Sequence, residues 1–402
     1  MSYLWAPLVL SILLGYRAGP EELVQGQDAF ARALYARLAS AEGNLFLSPY
    51  SVCIALAMTR EGAKGNTAAQ MDEVLHLPAA GAAESFRKLA EDLHAPDVSS
   101  VQDGKEEVRP AYALEIANAL WAQHGFQYAS AFEEILRTAY QAGFSTVDFA
   151  KPEKARATIN DWVEEKTREK VKDLIPPGLL DAATRLVITN AIYFKASWME
   201  PFRSQQTRDA PFTTQRGDEV QVPMMHSKQS LGYAEREGVQ VLELPYAGGH
   251  LSMVILLPEE KDGLPRLEEL VAARPLASWW KGLTTKMVDV KLPRFEYSSS
   301  FDLTRTLPAM GMKDAFDAGR ADFSGITPQI PLYIGAVLHK AFVAVDEQGT
   351  EAAAATAVVM RLGAAVGEAV EFTADHPFLF LIRHRATGSV LFMGRVADPT
   401  RS

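Results

Sequence analysis

Apolar side chains recur with helical spacing at three places in the first half of the chain. Ala29, Leu34, Tyr35 and Leu38 share a face and predict an early helix. Pro49, whose fixed φ suits a first helical turn, opens a second one carrying Ile54, Leu56 and Met58. Pro152 opens a third, with Ile159, Trp162 and Val163 on one stripe and Glu164, Glu165 and Lys166 left for water. The second half reads mainly as strands. Val241–Leu244 and Leu251–Leu257 flank Pro245–His250, whose Gly248–Gly249 pair signals a hairpin turn, and Phe378–Ile382 and Val390–Met393 flank a turn at Thr387–Gly388. These strands are apolar almost without interruption, so both of their faces need cover. Helices early, buried strands late and no regular alternation between them predict an α+β fold.

A chain of 402 residues fits one large domain, and past Pro20 no linker, repeat or block of like charge marks a boundary. A single domain over 22–402 is expected, preceded by a signal-like or flexible segment at 1–21. There, Leu4–Leu14 is apolar apart from Ser11, shorter than the roughly 20 residues that span a bilayer and of the length of a secretion signal's core. No basic residue precedes this run and no small-x-small cleavage site follows it. Export to the extracellular space is therefore expected beside a second reading, an apolar N-terminal arm.

Forty Lys and Arg against fifty Asp and Glu leave a net charge of −10, which argues against nucleic acid or an anionic membrane as a general partner. The single cysteine, Cys53, excludes an internal disulfide and a cysteine-based metal cluster, and reads as a small buried hydrophobe. No G-x-S-x-G elbow, G-x-x-x-x-G-K-[ST] loop, H-E-x-x-H pair or helix-opening G-x-G-x-x-G occurs. The eight histidines form no i, i+4 pair suited to a metal. Neither an enzyme nor a metal or other cofactor is expected, although a Ser/His/Asp triad that assembles in space stays open.

The stretch Val345–Phe372 fits no single element. Ala352–Ala355 favours helix, Thr356, Val358 and Val359 favour strand, and Gly349, Gly363 and Gly367 favour loop. With period two, Thr350, Ala352, Ala354, Thr356, Val358, Met360 and Leu362 form an uncharged face while Glu351 and Arg361 fall on the other, so the stretch can be buried as a strand. Its surroundings, His339–Thr356 (HKAFVAVDEQGTEAAAAT), Asp375–Phe380 (DHPFLF) and Gly388–Val396 (GSVLFMGRV), resemble the hinge strand and closing hairpin of the serpin family. Asn44–Met71 resembles that family's first core helix and Thr189–Phe202 its central strand and turn. Further matches at Asn118–Trp121, Asn160–Trp162, Leu292–Phe295 and Ala321–Thr327 extend the resemblance over nearly the whole chain after residue 22.

The resemblance implies an α+β serpin fold of three β-sheets and about nine helices, with an exposed reactive loop at roughly Gly349–Glu371. It also implies suicide inhibition of a serine or cysteine protease. The target cleaves one loop bond, becomes an acyl-enzyme, and is trapped as the freed loop inserts into the central sheet. By family spacing, seventeen residues counted from Glu347 reach Gly363. Gly363–Ala364 is thus the expected reactive bond, with Leu362–Gly363 and Arg361–Leu362 as alternatives, and the small apolar surroundings suit an elastase-, subtilisin- or chymotrypsin-like target. Glu347, Gly349, Thr350, Glu351, Ala352, Ala353, Ala354, Ala355 and Thr356 match the hinge, where Thr350, Ala352 and Ala354 are small and uncharged, as rapid insertion needs. Ser48, Ser51, Asn190 and His339 match the polar cluster where the sheet parts. Trp198, Arg294 and Glu347 match the region where the loop first enters, and an Arg294–Glu347 ion pair is expected. Glu169 stands where the family commonly has glycine. The helix that binds heparin in some members matches Ala83–Leu93, which holds only Arg87 and Lys88 among Glu84, Glu91 and Asp92, so no heparin partner is expected; the protein is expected to be a monomer. The alternative is a serpin-fold carrier or chaperone that does not inhibit.

Overall fold

The computed structural model describes residues 20–102, 105–350 and 368–401. Among these, nine α-helices surround sheets of nine, six and two strands. The six-stranded central sheet runs β12 (Phe295–Asp302), β13 (Ile334–Val345), β14 (Gly349–Thr350), β6 (Leu186–Ser197), β4 (Tyr112–Gln123) and β5 (Gly143–Val147). Because β14 is two residues long, β13 and β6 pair with each other below it, in parallel, from Ile334–Leu186 to Ala341–Ile192.

The central sheet is covered on both faces. Helix α2 (Pro49–Arg60), buried from Pro49 through Thr59, packs on one. Helix α6 (Pro152–Lys166) closes the other, where Ile159 and Val163 meet Ala117, Ala119, Trp121, Val187 and Leu338. Cys53 is fully buried in α2, and burial pushes its thiol up to about 12, so it packs as a hydrophobe. Helix α1 starts at Pro20, two residues ahead of the expected domain boundary, and buries Leu23, Phe30, Ala31, Leu34 and Tyr35. Ala29 and Leu38 are only half-buried. Ala29 lies five residues before Leu34, off the i, i+4 stripe.

The largest sheet runs β1 (Leu45–Leu47), β17 (Val390–Val396), β16 (Phe378–His384), β10 (Leu251–Pro258), β9 (Val239–Pro245), β8 (Glu219–Arg236), β11 (Thr284–Pro293) and β15 (Val370–Thr373), with β7 (Arg208–Thr213) also on β8. Strands β10, β16 and β17 are buried along their whole length, as their unbroken apolar runs predict. Strand β8 pairs with β7 and β11 along its first part and with β9 at its end, which joins two groups of strands into one sheet. The third sheet is the hairpin of β2 (Asp97–Gln102) and β3 (Lys105–Pro110), which the hydrophobic pattern does not signal. The remaining helices are α3 (Gly65–Leu75), α4 (Ala82–Asp92), α5 (Ser130–Ile135), α7 (Leu264–Ala273), α8 (Ala277–Trp280) and α9 (Thr306–Met310).

Past α6 the chain turns through two consecutive residues of positive φ, Arg168 at 51° and Glu169 at 61°. A left-handed residue with a side chain costs on the order of 1 kcal/mol, which explains why this position suits glycine. Glu169→Gly is expected to raise stability in urea by roughly 0.5–1 kcal/mol, and Glu169→Ala is not. Equal gains from both variants would remove the backbone explanation.

Candidate functional site

Above the pair Ile192–Ala341, strands β6 and β13 part, and Gly349–Thr350 sits between them. Thr350 pairs with Val345 on one side and Ala196 on the other, and Gly349 pairs with Ser197. A local turn brings the chain back to this position. The Asp346 carboxylate accepts from the backbone N–H groups of Gln348 at 2.8 Å and Gly349 at 3.2 Å, and the Asp346 N–H donates to the Gly349 carbonyl at 2.9 Å. Gly349 has φ +154°, and a Cβ there would lie 2.1 Å from the Ala196 carbonyl oxygen, so only glycine fits.

Thr350 is 1% exposed, and its hydroxyl shares a 2.7 Å hydrogen bond with the phenol of Tyr246. The Tyr246 ring stacks on Trp198 with centroids 4.6 Å apart, and the Trp198 indole N–H donates to the Asp346 carbonyl at 3.0 Å. Glu347 is buried; its carboxylate accepts from the Thr207 hydroxyl at 2.7 Å and stands 3.5 Å from the Arg294 guanidinium. The expected Arg294–Glu347 pair is therefore present, and because Arg294 is half exposed it contributes no more than about 1 kcal/mol. Backbone bonds hold the turn more firmly: Trp198 N–H to the Gln348 carbonyl and Phe202 N–H to the Glu347 carbonyl, each 2.8 Å. The sequence reading brought Trp198, Arg294 and Glu347 to this place but missed Tyr246 and Thr207. Tyr246 lies in a stretch read only as a hairpin turn, and nothing in its neighbours signals a partner a hundred residues away.

The expected loop limits change at both ends. Gly349 and Thr350 are strand residues in the central sheet rather than exposed loop, because the Asp346 turn and the Tyr246 hydrogen bond hold them there. Val370 and Glu371 belong to β15, which pairs in parallel with β11 at Val288 and Asp289, with Lys291 3.0 Å from Glu371. Glu351, Ala352, Ala353, Ala354, Ala355 and Thr356, and the candidate reactive positions Arg361, Leu362, Gly363 and Ala364, lie outside the described residues.

Deeper in the sheet, Ser48, Ser51, Asn190 and His339 are all fully buried and share one network. Ser48 caps α2, accepting from the Ser51 N–H at 3.1 Å and donating its hydroxyl proton to the Leu391 carbonyl at 2.7 Å. The Ser48 backbone N–H donates to His339 Nε2 at 3.0 Å. That makes Nε2 the acceptor, so the ring proton sits on Nδ1 and goes to the Asn190 side-chain oxygen. Asn190 Nδ2 donates to the Ser51 hydroxyl and to the Asn118 oxygen, while Asn118 Nδ2 donates to the Ser51 carbonyl at 3.1 Å. Asn118 is thus a fifth member; the sequence reading noted its block without assigning it here. Asn190 on β6 and His339 on β13 are register partners, so any parting of these strands must break the bond between their side chains.

Burial pushes His339 down to about 4. In the unfolded chain the ring titrates near 6.5, so the unfolded state binds the extra proton between these values. The stabilising contribution of the neutral ring is complete above about pH 6.5 and is lost as pH falls toward 4. Going from pH 7 to pH 5 should lower stability by about 2 kcal/mol, read as a shift of the urea midpoint. His339→Gln should lose that pH dependence, and an unchanged slope in the variant would assign it to another group.

These groups are arranged to seat a strand between β6 and β13. Residues 25–399 match the family described as Serpin (serine protease inhibitor). The chain is 40% identical over 393 residues to leukocyte elastase inhibitor A of Rattus norvegicus, covering 94% of this chain and all of that protein. It is 39% identical over 391 residues to the leukocyte elastase inhibitor of Homo sapiens, with the same coverage. Among solved structures, Serpin48 of the insect Tenebrio molitor superposes with a TM-score of 0.83 at 31% identity, over 94% of this chain and 98% of that one. This chain belongs to the serpin family.

Proposed function

We propose that this protein is an irreversible suicide-substrate inhibitor of a serine endopeptidase, with an elastase-like enzyme as the first target to test. The observation that carries the reading is the seat of Gly349–Thr350: the gap between β6 and β13 already accepts the start of the hinge on both sides. A full inserted strand gains two hydrogen-bond ladders. About 20 bonds at roughly 0.5–1.5 kcal/mol each give on the order of 10–30 kcal/mol, enough to hold a distorted acyl-enzyme. The names of the relatives point to elastase. Serine protease inhibition makes the protein a consumed reactant rather than a catalyst.

Incubation with trypsin, chymotrypsin, pancreatic elastase and subtilisin, followed by denaturing gel and mass spectrometry, tests this. An SDS-stable complex is expected, and the mass of the released C-terminal peptide identifies the bond among Gly363–Ala364, Leu362–Gly363 and Arg361–Leu362. Loop cleavage with no complex and no rise in melting temperature would favour the carrier or chaperone reading. The basic residues of α4 support the absence of a heparin partner, since Arg87 pairs with Glu84 and Glu91, and Lys88 with Glu84. Export through Leu4–Leu14 remains part of the proposal, tested by N-terminal sequencing of protein recovered from culture medium.

A further inference from the structure

The turn that follows α6 lies across the seam at which β6 and β13 part. The last pair between these strands is Ile192–Ala341, and one residue beyond it on each strand stand Tyr193 and Phe342. By strand alternation both rings face α6, on the side where Ala191 and Leu338 meet Ile159 and Val163. The Arg168 guanidinium lies over the Tyr193 ring, 5.3 Å from its centroid, and the Lys170 ammonium lies over the Phe342 ring at 5.2 Å. Two residues of one turn therefore grip the two strands that must separate.

The turn is fixed to α6. The Glu169 N–H donates to the Glu164 carbonyl at 2.9 Å, the Lys170 N–H to the Thr167 carbonyl at 3.0 Å and the Val171 N–H to the Thr167 hydroxyl at 3.2 Å. Val171 is buried in the same apolar cluster as Ile159 and Val163. Each end has a second tie: Arg168 pairs with Glu115 on β4, and the Lys340 ammonium on β13 donates to the Lys172 carbonyl at 2.7 Å. A strand inserted between β6 and β13 moves them apart by one further strand spacing, roughly 4.8 Å. Added to contacts of 5.3 and 5.2 Å, this takes one of them past the roughly 6 Å over which a cation and a ring attract. The turn cannot keep both.

We propose that the turn from Thr167 to Lys172 is a strap across the β6–β13 seam, with Arg168 and Lys170 as positioning residues that set the barrier to parting. The inference rests on the reading that the cleaved loop inserts at this seam, and deepens it: one end of the strap must let go before a strand passes below Thr350. The Asn190–His339 bond, tied to Ser51, holds the seam from the α2 face, and the strap holds it from the α6 face. A strap fails when either end is cut, whereas two independent contacts add their effects.

Hydrogen–deuterium exchange of the uncleaved, full-length protein tests this, because the amides of β6 and β13 report parting of the seam whether or not any protease is trapped. Arg168→Met and Lys170→Met keep an unbranched stem and remove the charge. Each is expected to speed exchange at residues 187–192 and 336–341 by about fivefold, with β16 and β17 exchanging as in the parent. The double variant should be no faster than the faster single one. Unchanged exchange at the seam, an equal rise in β16 and β17, or a double variant whose effect is the product of the two singles would each overturn the proposal. A parent that forms no SDS-stable complex with a protease would count against the inhibitory reading alone, since the exchange data judge the strap separately.

Discussion

Arginine in place of Thr350 is expected to turn the protein from an inhibitor into a substrate of its target. Thr350 is the first hinge side chain to enter the sheet, 1% exposed and bonded to the buried phenol of Tyr246. An arginine there cannot keep the seat without burying a guanidinium beside an aromatic pair that offers no carboxylate, at a cost of several kcal/mol. Expelling the hinge avoids that cost but delays insertion. The acyl-enzyme partitions between trapping and hydrolysis, and each 1.4 kcal/mol added to the insertion barrier shifts the partition about tenfold. The number of inhibitor molecules consumed per protease inactivated should rise by at least about tenfold, with cleaved inhibitor accumulating in place of complex. Thr350→Ser, which keeps the size and hydroxyl, should behave like the parent and guards against a folding artefact. Covalent complexes formed by Thr350→Arg at the original stoichiometry would sink the hinge assignment.

The second large effect is expected at Asn190. Its side chain accepts from His339 on β13 and donates to Ser51 on α2 and Asn118 on β4, so it ties the moving strand to the fixed core. Asn190→Leu keeps the volume but leaves the His339 Nδ1–H without an acceptor in a fully buried place. At about 1–3 kcal/mol per stranded group, plus the lost bonds, the variant should be about 2–4 kcal/mol less stable in urea. The damage should also be directional. Without this side-chain bond between register partners of β6 and β13, the sheet should part more readily, and inhibitory activity should decay faster on incubation near the melting temperature without any proteolysis. A variant that is less stable but keeps its activity as long as the parent would show that Asn190 supports the core without holding the gap shut.

Much of the framework was legible in the amino acids. The buried hairpins β9–β10 and β16–β17 follow from apolar runs interrupted by glycine-containing turns, and α2 and α6 from prolines that open helical stripes. The family resemblance brought Ser48, Ser51, Asn190 and His339 to one cluster and Arg294 to Glu347, and the structure joins both groups. Sequence could not supply Asn118, Tyr246 or Thr207, because their partners come from other strands and helices across the fold.

Local chemistry alone determined where strands and helices begin, that the hinge side chains are small, and that Cys53 is a packing residue, since periodicity, turn residues and side-chain size act over a few neighbouring positions. Only the tertiary structure decided that Gly349–Thr350 already lies in the sheet and that Asn190 faces His339. Both depend on strand register and on the packing of α2 against the sheet, where residues far apart in the chain meet across a few ångströms.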